Sequence, residues 1–365
     1  MSRVIPTKAQ TVDDSDLNEI NRVIYTYFDL KYLAMTNNIY PDLSMVFAEN
    51  NVMDDSIITE AERLEIELKH NEMYGLKYQK YDYLLDISEV VFSPNHVKAT
   101  VNLTENHDVV FTATAPTISK MRGLEHEITL MNNGSGWLIF EDKYEDYIWT
   151  LLKKSNLSKR EVFAAMEDGY RSFLYNNEAK KTAIGINNVV TNYVYDRIGA
   201  RNYAATYWDV YNPNYYNFNN IPDTGDCANF VSQVMHEGGG IPETSDDQPT
   251  YGWYYNSVQD YASAWTGVPS MYDFLLNGAC CWEEGPKALL SSTTQLNIGD
   301  VIIFDMKSVG GTYDHATVVS SVQDMGNWTY FPLVAAHNDN RFDYPFTYYQ
   351  YYGTYAFRII NDPEY

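Results

Sequence analysis

The chain has 365 residues, of which 45% are hydrophobic and 20% charged, a composition typical of a globular protein long enough for two or three domains. Its formal net charge of −24 argues against nucleic acid or an anionic membrane surface as a partner, because both require a basic face. The 3 cysteines cannot form a disulfide framework. The sequence shows neither zinc-ligand spacing nor a phosphate-binding loop, so we expect no metal and no cofactor.

The N-terminal residues 1–16 lack the apolar core of a secretory signal, and the longest apolar runs of the chain are too short to span a bilayer. We therefore expect no membrane insertion. The acidic composition is compatible with a secreted or cell-surface protein whose signal lies outside this sequence, and a cytoplasmic location is the alternative. The sequence does not indicate which oligomeric state the protein adopts.

Two helices followed by a series of strands are predicted in the first half. Apolar residues recur at helical spacing over residues 16–36, and a second helix is expected over 56–71. Beyond residue 77 the pattern changes to that of strands, which are predicted over 81–92, 97–103, 109–114, 123–131 and 137–145. Helices followed by a curved antiparallel sheet of about four strands indicate an α+β fold for residues 15–155.

This order of elements resembles the cone-shaped fold of nuclear transport factor 2 and its bacterial relatives, which implies a binding module or a spacer. The histidines of this half show no metal-ligand spacing, and we interpret them as ordinary surface or strand residues: His70, His96, His107 and His126. A helical linker is expected over residues 156–191. A second domain is expected over 192–365.

The second half begins with a helix predicted over residues 192–208. Another helix starts near Cys227 and stops at the three glycines 238–240. The later part of the chain contains compact strand signals, over residues 301–304, 315–319, 331–337 and 355–360. These elements predict an α+β domain in which one helix packs on an antiparallel sheet.

Cys227 lies in the first turn of its predicted helix, with Thr224 or Asp226 as the N-cap. Free backbone N–H groups and the positive end of the helix dipole favour a thiolate at such a position. A thiolate near a histidine is ready for acyl chemistry. The alternative is that Cys227 is a small buried hydrophobic residue, as free cysteines often are.

Two histidines of the second half occupy the ends of predicted strands. His315 opens its strand, and if Thr317 and Val319 face the Cys227 helix, its imidazole lies within reach of the thiol. His337 ends the next strand, where a polar residue can orient the first imidazole. Alternation along that strand places His337 on the helix side, while the adjacent Asn338 and Asp339 are alternatives for the orienting role. An ordinary strand-end histidine is the alternative interpretation of His315.

Six segments occur in order along residues 192–365: YNPNYYNF, GDCANFVSQ, GWYYNS, GDVIIFD, DHATVV and AAHNDNRFDYP. On these segments the region resembles an amidase-domain family of Gram-positive bacteria, which is similar to the NlpC-type and CHAP-type papain-like cysteine hydrolases that cut cell-wall peptides. The resemblance implies a papain-like domain with Cys227 as the nucleophile and His315 as the general base and then acid. It also implies that His337 holds the orienting position.

The related hydrolases place a tyrosine ahead of the cysteine, near the oxyanion. Tyr215 or Tyr216 matches this position, and packing is the alternative role of either ring. Trp253 belongs to a group of aromatic residues that either line the substrate cleft or pack on one another. We predict all three as substrate-binding residues.

The resemblance implies a cysteine-dependent amidase or peptidase in which the thiolate attacks an amide carbonyl and water hydrolyses the resulting thioester. A peptide or a peptidoglycan-like amide is the implied substrate. Two other classes are a non-catalytic protein that binds cell wall or a partner, and an acyltransferase that uses the same Cys227–His315 pair. Because every motif lies further along the chain, residues 1–185 are expected to be dispensable for the chemistry.

Overall fold

A computed structural model describes the chain over residues 14–48, 60–146, 148, 157–175, 191–221, 224–245, 248–277, 283–305, 313–327, 329–349 and 353–360. The predicted α+β class is confirmed over these residues, which contain helices and antiparallel sheet. Cys280, Cys281 and residues 176–190 of the predicted linker lie outside the described residues.

The first half has the predicted order of two helices and then strands. Helices α1 (Asp14–Asn37) and α2 (Glu60–Tyr74) precede four antiparallel strands, β1 (Tyr78–Phe92), β2 (Lys98–Phe111), β3 (Ser119–Asn132) and β4 (Trp137–Lys143). Strand β2 replaces two shorter predicted strands. The polar residues between them continue the alternation, since Glu105 and His107 are buried and their neighbours are half-buried.

Two helices connect the halves. Helix α3 (Lys159–Tyr175) is capped by Ser158, whose hydroxyl donates to Glu161. Helix α4 (Arg197–Tyr207) begins later than predicted because Asp196 is its N-cap, with its carboxylate accepting from the N–H groups of Ile198 and Gly199.

The helix that starts at Cys227 is α5 (Cys227–Gln233), and it continues as a π-helical turn over Val234–Gly238. Gly240, with φ of 73°, follows the helix end as predicted. The remaining elements are β5 (Tyr255–Ser257), β6 (Asp260–Tyr261), α6 (Ser263–Thr266), α7 (Val268–Asn277), β7 (Ala288–Ser291), β8 (Val301–Asp305), β9 (His315–Asp324), β10 (Tyr330–Ala336), β11 (Arg341–Pro345) and β12 (Gly353–Ile359). A 3₁₀ turn over Phe346–Tyr349 follows β11.

One ten-stranded sheet runs through both halves, in the order β1-β2-β3-β11-β10-β9-β8-β12-β7, with β4 on β3. The two halves join where β3 pairs with β11, through Met121 opposite Arg341 and Lys120 opposite Phe342. The predicted boundary near residues 156–191 therefore separates two segments that share a sheet. Strand β11 was not predicted; it pairs with β10, just before it in the sequence, and with β3, more than 200 residues earlier, and pairing at that distance leaves no local signal.

The two faces of the second-half strands lie in different cores. Ala316 and Val318 of β9 pack with α5, whereas Val319 belongs to the core shared with α1 and the first-half strands. The expectation that Thr317 and Val319 face the Cys227 helix was therefore wrong. The small side chain of Ala316 leaves room for the start of α5 against the strand.

His107 and His126 lie on strands β2 and β3, in line with the interpretation of these histidines as surface or strand residues, whereas His70 lies on helix α2; all three are buried. His126 lies between two carboxylates, 3.0 Å from Asp142 and 3.1 Å from Glu105. Burial opposes a charge on this ring, but Asp142 and Glu105 outweigh burial and raise its pKa to about 9. Within the described residues, no group of three or more His, Cys, Asp or Glu side chains could hold a metal ion.

The raised pKa of His126 predicts a loss of stability on the alkaline side. Its pKa lies near 9 in the folded chain and about 6.5 in the unfolded chain, so the stabilisation is complete below pH 6.5 and lost as pH rises to 9. The loss amounts to about 3 kcal/mol. Urea unfolding between pH 6.5 and 9 should show this loss of unfolding free energy in the wild type and in a control His96→Gln variant. A His126→Gln variant whose unfolding free energy falls with pH at the same slope would contradict the assignment.

Candidate active site

Cys227 begins α5 in a buried setting. Its side chain is 5% exposed, and the helix residues that follow, as far as Met235, are buried on all sides. Asp226 occupies the N-cap position, but its carboxylate bonds to no N–H group of the first helical turn. Thr224 donates its hydroxyl to the carbonyl of Phe218 instead of capping the helix. The helix start is therefore fixed by contacts to other segments.

Asp226 is the centre of those contacts. It is fully buried, and its carboxylate accepts from three donors, the backbone N–H of Phe218, the side-chain amide of Asn229 and the ring of His337. Its own backbone N–H donates to Oδ1 of Asn338 at 2.6 Å. These four hydrogen bonds fix the residue directly before Cys227.

His337 is part of this cluster and does not contact His315 through either nitrogen. Nδ1 lies 2.7 Å from Oδ2 of Asp226, and Nε2 lies 2.7 Å from the carbonyl oxygen of Tyr207. Both ring nitrogens therefore face an acceptor, and Nδ1 lies within ion-pair distance of the buried Asp226 carboxylate. The ring also stacks on Phe230, with centroids 4.1 Å apart. His337 consequently positions α5, and the expectation that it orients His315 is corrected.

Strand alternation correctly predicted that His337 lies on the α5 side of the sheet, but not every residue used for that prediction lies on this side. Ala335 packs with α5, but Phe331 and Leu333 lie in the other core, because the pairing of β10 with β9 shifts after Leu333. The bulge reverses the alternation along the strand. His337 therefore reaches α5 from a strand whose earlier residues face the opposite way.

Cys227 and His315 line one cleft, of about 780 Å³. His315 opens β9, and the backbone N–H of the next residue, Ala316, is directed at the Cys227 thiol. The ring of His315 stacks on that of Tyr349, with centroids 4.7 Å apart and planes at 25°. The structure thus places two of the three predicted catalytic residues in the wall of one cleft, with the ring of His315 stacked on residues of the core that lies across the sheet from the Cys227 helix.

The three predicted substrate-binding residues pack near α5 and are not among the described residues that line this cleft. Tyr215 donates its hydroxyl to Glu237. The backbone N–H of Tyr216 donates to the hydroxyl of Tyr255. Trp253 is fully buried, and its Nε1–H donates to Ser232. The packing alternative therefore describes these rings better than the substrate-contact prediction.

Several cleft residues were not singled out as substrate contacts in the sequence, among them Glu145, Tyr261, Tyr313, Asp314, Asn338 and Asp339. Asn338 and Asp339 have φ of 61° and 80°. Asparagine and aspartate are the residue types that tolerate this region, so the AAHNDN segment carried a turn signal. Glu145 comes from the first half, and no local pattern could have placed it here.

The thiol of Cys227 is neutral in the resting protein. Burial raises its pKa to about 11, and although the N–H groups of Ala316 and Ala228 lower it, the charge of Asp226 raises it further. The predicted thiolate at the helix start is therefore corrected, because burial and a neighbouring carboxylate outweigh the helix end.

Residues 194–360 match the family model described as "Putative amidase domain". This match supports an amidase, and therefore hydrolase, activity in general terms. The Bacillus subtilis protein YhbB is 35% identical over 152 residues, which are 41% of this chain and 44% of YhbB. The chain thus spans less than half the length of the curated relative that it matches.

Solved structures with similar parts include the intermembrane-space region of the chloroplast protein ARC6, which is 18% identical with a TM-score of 0.26 and covers 35% of this chain and 95% of that one. A protein of the NTF2-like family from Streptomyces avermitilis is 13% identical with a TM-score of 0.25, and the match covers 36% of this chain and 97% of the chain of that protein. Scores of this size do not establish a shared fold. In the part of the chain that the structure describes, no helix has both the length and the apolar composition needed to cross a bilayer.

The pKa of Cys227 predicts how its alkylation depends on pH. With a pKa of about 11, only about one thiol in ten thousand is ionised at pH 7, so iodoacetamide should react slowly and ever faster up to pH 10. Mass spectrometry of a Cys280→Ser/Cys281→Ser protein, in which Cys227 is the remaining cysteine, measures this rate. A plateau beginning below pH 7 would show a resting thiolate and contradict the assignment.

The Asp226–His337 pair predicts a large stability loss for His337→Gln. This variant removes the ring that lies 2.7 Å from the buried Asp226 carboxylate, and breaking a buried pair of this kind costs about 3–5 kcal/mol of unfolding free energy. The matched control is His236→Gln, since His236 makes one hydrogen bond, to the carbonyl of Ile241, and should cost about 1 kcal/mol. Equal losses in the two variants, measured by urea unfolding, would show that the ion pair has no special weight.

Proposed function

We propose that the second half of the chain is a cysteine-dependent amide hydrolase with Cys227 as the nucleophile and His315 as the general base. The observation that carries the proposal is that both residues line one cleft, with the N–H of Ala316 directed at the thiol. The family-model match over residues 194–360 supports the reaction class. In this proposal the domain is related to the NlpC-type and CHAP-type papain-like hydrolases.

The proposed reaction starts from the neutral thiol. As the sulfur of Cys227 attacks the amide carbonyl carbon, His315 takes the thiol proton, and the backbone N–H of Cys227 stabilises the developing oxyanion. The protonated His315 then gives its proton to the leaving amine, and the C–N bond breaks to leave a thioester. Water attacks the thioester while His315 accepts a proton from it. The C–S bond then breaks, the acid product leaves, and His315 returns its proton to the sulfur of Cys227, which restores the thiol.

Asp339 is the proposed orienting partner of His315. Of the three residues considered for this role, His337 and Asn338 are both bonded to Asp226. Asp339 lies in the wall of the same cleft as His315. A carboxylate there can accept from the ring nitrogen that faces away from the thiol.

The charge of the cleft supports a substrate that carries an amine. Its walls include Glu145, Asp314 and Asp339, and no lysine or arginine is among its described lining residues. Carboxylates attract a cation near the scissile amide and repel an anion. A peptide or peptidoglycan-like fragment with a free amine fits this charge, and we propose a secreted or cell-surface site of action on such material.

An acyltransferase is the second candidate, and the same cleft charge favours it. A protonated amine drawn to Glu145, Asp314 and Asp339 could lose its proton and attack the thioester in place of water. The two reactions share every step up to the acylated Cys227. Added lysine or alanine amide as an acceptor separates them, because transfer yields a new amide and hydrolysis yields the acid.

Mass spectrometry of digested peptidoglycan fragments tests the proposal. Wild type should release new amine termini, Cys227→Ala should release none, and His315→Ala should lose at least about a hundredfold in rate. Asp339→Ala should lose less than His315→Ala. A Cys280→Ser variant is the matched cysteine control and should keep the wild-type rate. Fragments whose amine is acetylated should be cut more slowly.

Retained cleavage by purified Cys227→Ala would exclude the nucleophile assignment. An unchanged rate in Asp339→Ala would exclude only the orienting role of that residue. A preference for acetylated fragments would contradict the proposed substrate charge while leaving the Cys227–His315 chemistry in place.

A further inference from the structure

The imidazole ring of His315 stacks on the ring of Tyr349. We propose that Tyr349 is a positioning residue for His315 and that the first half of the chain holds Tyr349 in place. The inference rests on the proposed function, because it explains how the general base is kept at the cleft. It also contradicts the expectation that residues 1–185 are dispensable for the chemistry.

The contact between the two rings restricts the imidazole directly. Their centroids are 4.7 Å apart with planes at 25°, and both residues are buried. Phe304, which pairs with His315 across β8 and β9, also stacks on the imidazole ring, with centroids 6.4 Å apart. The backbone of His315 is fixed by its pairing with Phe304 and by the N–H of Asp314, which donates to the carbonyl of Phe304, but these contacts do not set the side-chain torsions of His315. A stacked ring of fixed orientation supplies the missing restraint on its side-chain torsions.

Tyr349 is itself held by two further contacts. Its hydroxyl donates to the carbonyl of Asp339 at 3.3 Å. The guanidinium of Arg341 lies over its ring at 5.1 Å, and the same guanidinium lies over the rings of Tyr344 and Tyr348 at 4.7 and 5.6 Å. One buried cation therefore ties three tyrosines of the segment 341–349 together.

The first half holds this segment from its other side. Its strand β3 pairs with β11, and four polar groups of the first half bond to the segment: Ser119 to the carbonyl of Asp343, His107 to the hydroxyl of Tyr344, His70 to the carbonyl of Thr347, and Asn71 to the hydroxyl of Tyr348. These donors and acceptors come from α2, β2 and β3. The packing of the first half thus sets where Tyr349 lies and, through it, where His315 lies.

Steady-state kinetics of full-length Tyr349 variants tests the proposal. Tyr349→Leu removes the flat ring and should lower kcat about 10–100-fold with little change in KM, since substrate binding does not involve this buried residue. Tyr349→Phe keeps the ring and should retain a kcat close to that of the wild type. Phe331→Leu is the matched control, because Phe331 is a buried aromatic residue of the same core whose ring packs on Phe173 and Phe346 and is not stacked on His315.

If Tyr349→Leu does not fold, Tyr349→Met is the second variant, since methionine fills irregular space well and also lacks a ring. An unchanged kcat in a folded Leu or Met variant would overturn the proposal. A fall in Phe331→Leu as large as that in Tyr349→Leu would also overturn it, because the effect would then be general destabilisation.

A measurement independent of turnover separates this inference from the proposed function. In a Cys227→Ala protein, the NMR signals of the His315 ring should be shifted upfield by the Tyr349 ring current, and His315→Gln assigns them. The shift should persist in Tyr349→Phe and be lost in Tyr349→Leu. If the wild type proves inactive but these shifts are seen, the proposed function fails and the positioning stands. Identical signals in the Leu and Phe variants would overturn the positioning.

Discussion

The buried ion pair between Asp226 and His337 is the interaction on which the rest of the site depends. A charge pair removed from water is stabilising only if its remaining hydrogen-bonding groups are also satisfied. Asp226 meets this condition through Phe218 and Asn229, and His337 meets it through the carbonyl of Tyr207. Because Asp226 directly precedes Cys227 and His337 follows β10, the pair fixes the helix that carries Cys227 against the sheet.

The same burial that fixes Cys227 also controls its chemistry. A thiol that is 5% exposed and lies beside the Asp226 carboxylate has a pKa of about 11, so it stays protonated until a base takes the proton. In the proposed mechanism this base is His315, which must therefore be positioned as carefully as the proposed nucleophile Cys227. Both halves of the chain contribute to this positioning. The Asp226 cluster positions Cys227, whereas the segment 341–349, which pairs with the first half, supports His315.

Features with a local cause were predictable from the sequence, and features set by distant pairing were not. The stop of the helical segment before Gly240 follows from a short-range signal, whereas the start of α5 at Cys227 was predicted from capping residues that do not cap it. The face of β9 that packs on α5 was misassigned, because period-2 alternation cannot say which of its two faces meets the helix. The burial of His126 depends on Glu105 and Asp142, which only the folded sheet brings to the ring.

The most direct test of the account is the mass of the protein during turnover of an activated acyl substrate. Intact-protein mass spectrometry of the quenched reaction should show one added acyl group, released by hydroxylamine as a thioester is, and peptide mapping should place it on Cys227. His315→Ala should accumulate the adduct far more slowly. An acyl group on another residue, or turnover with Cys227 never acylated at any time point, would contradict the assignment of Cys227 as the nucleophile.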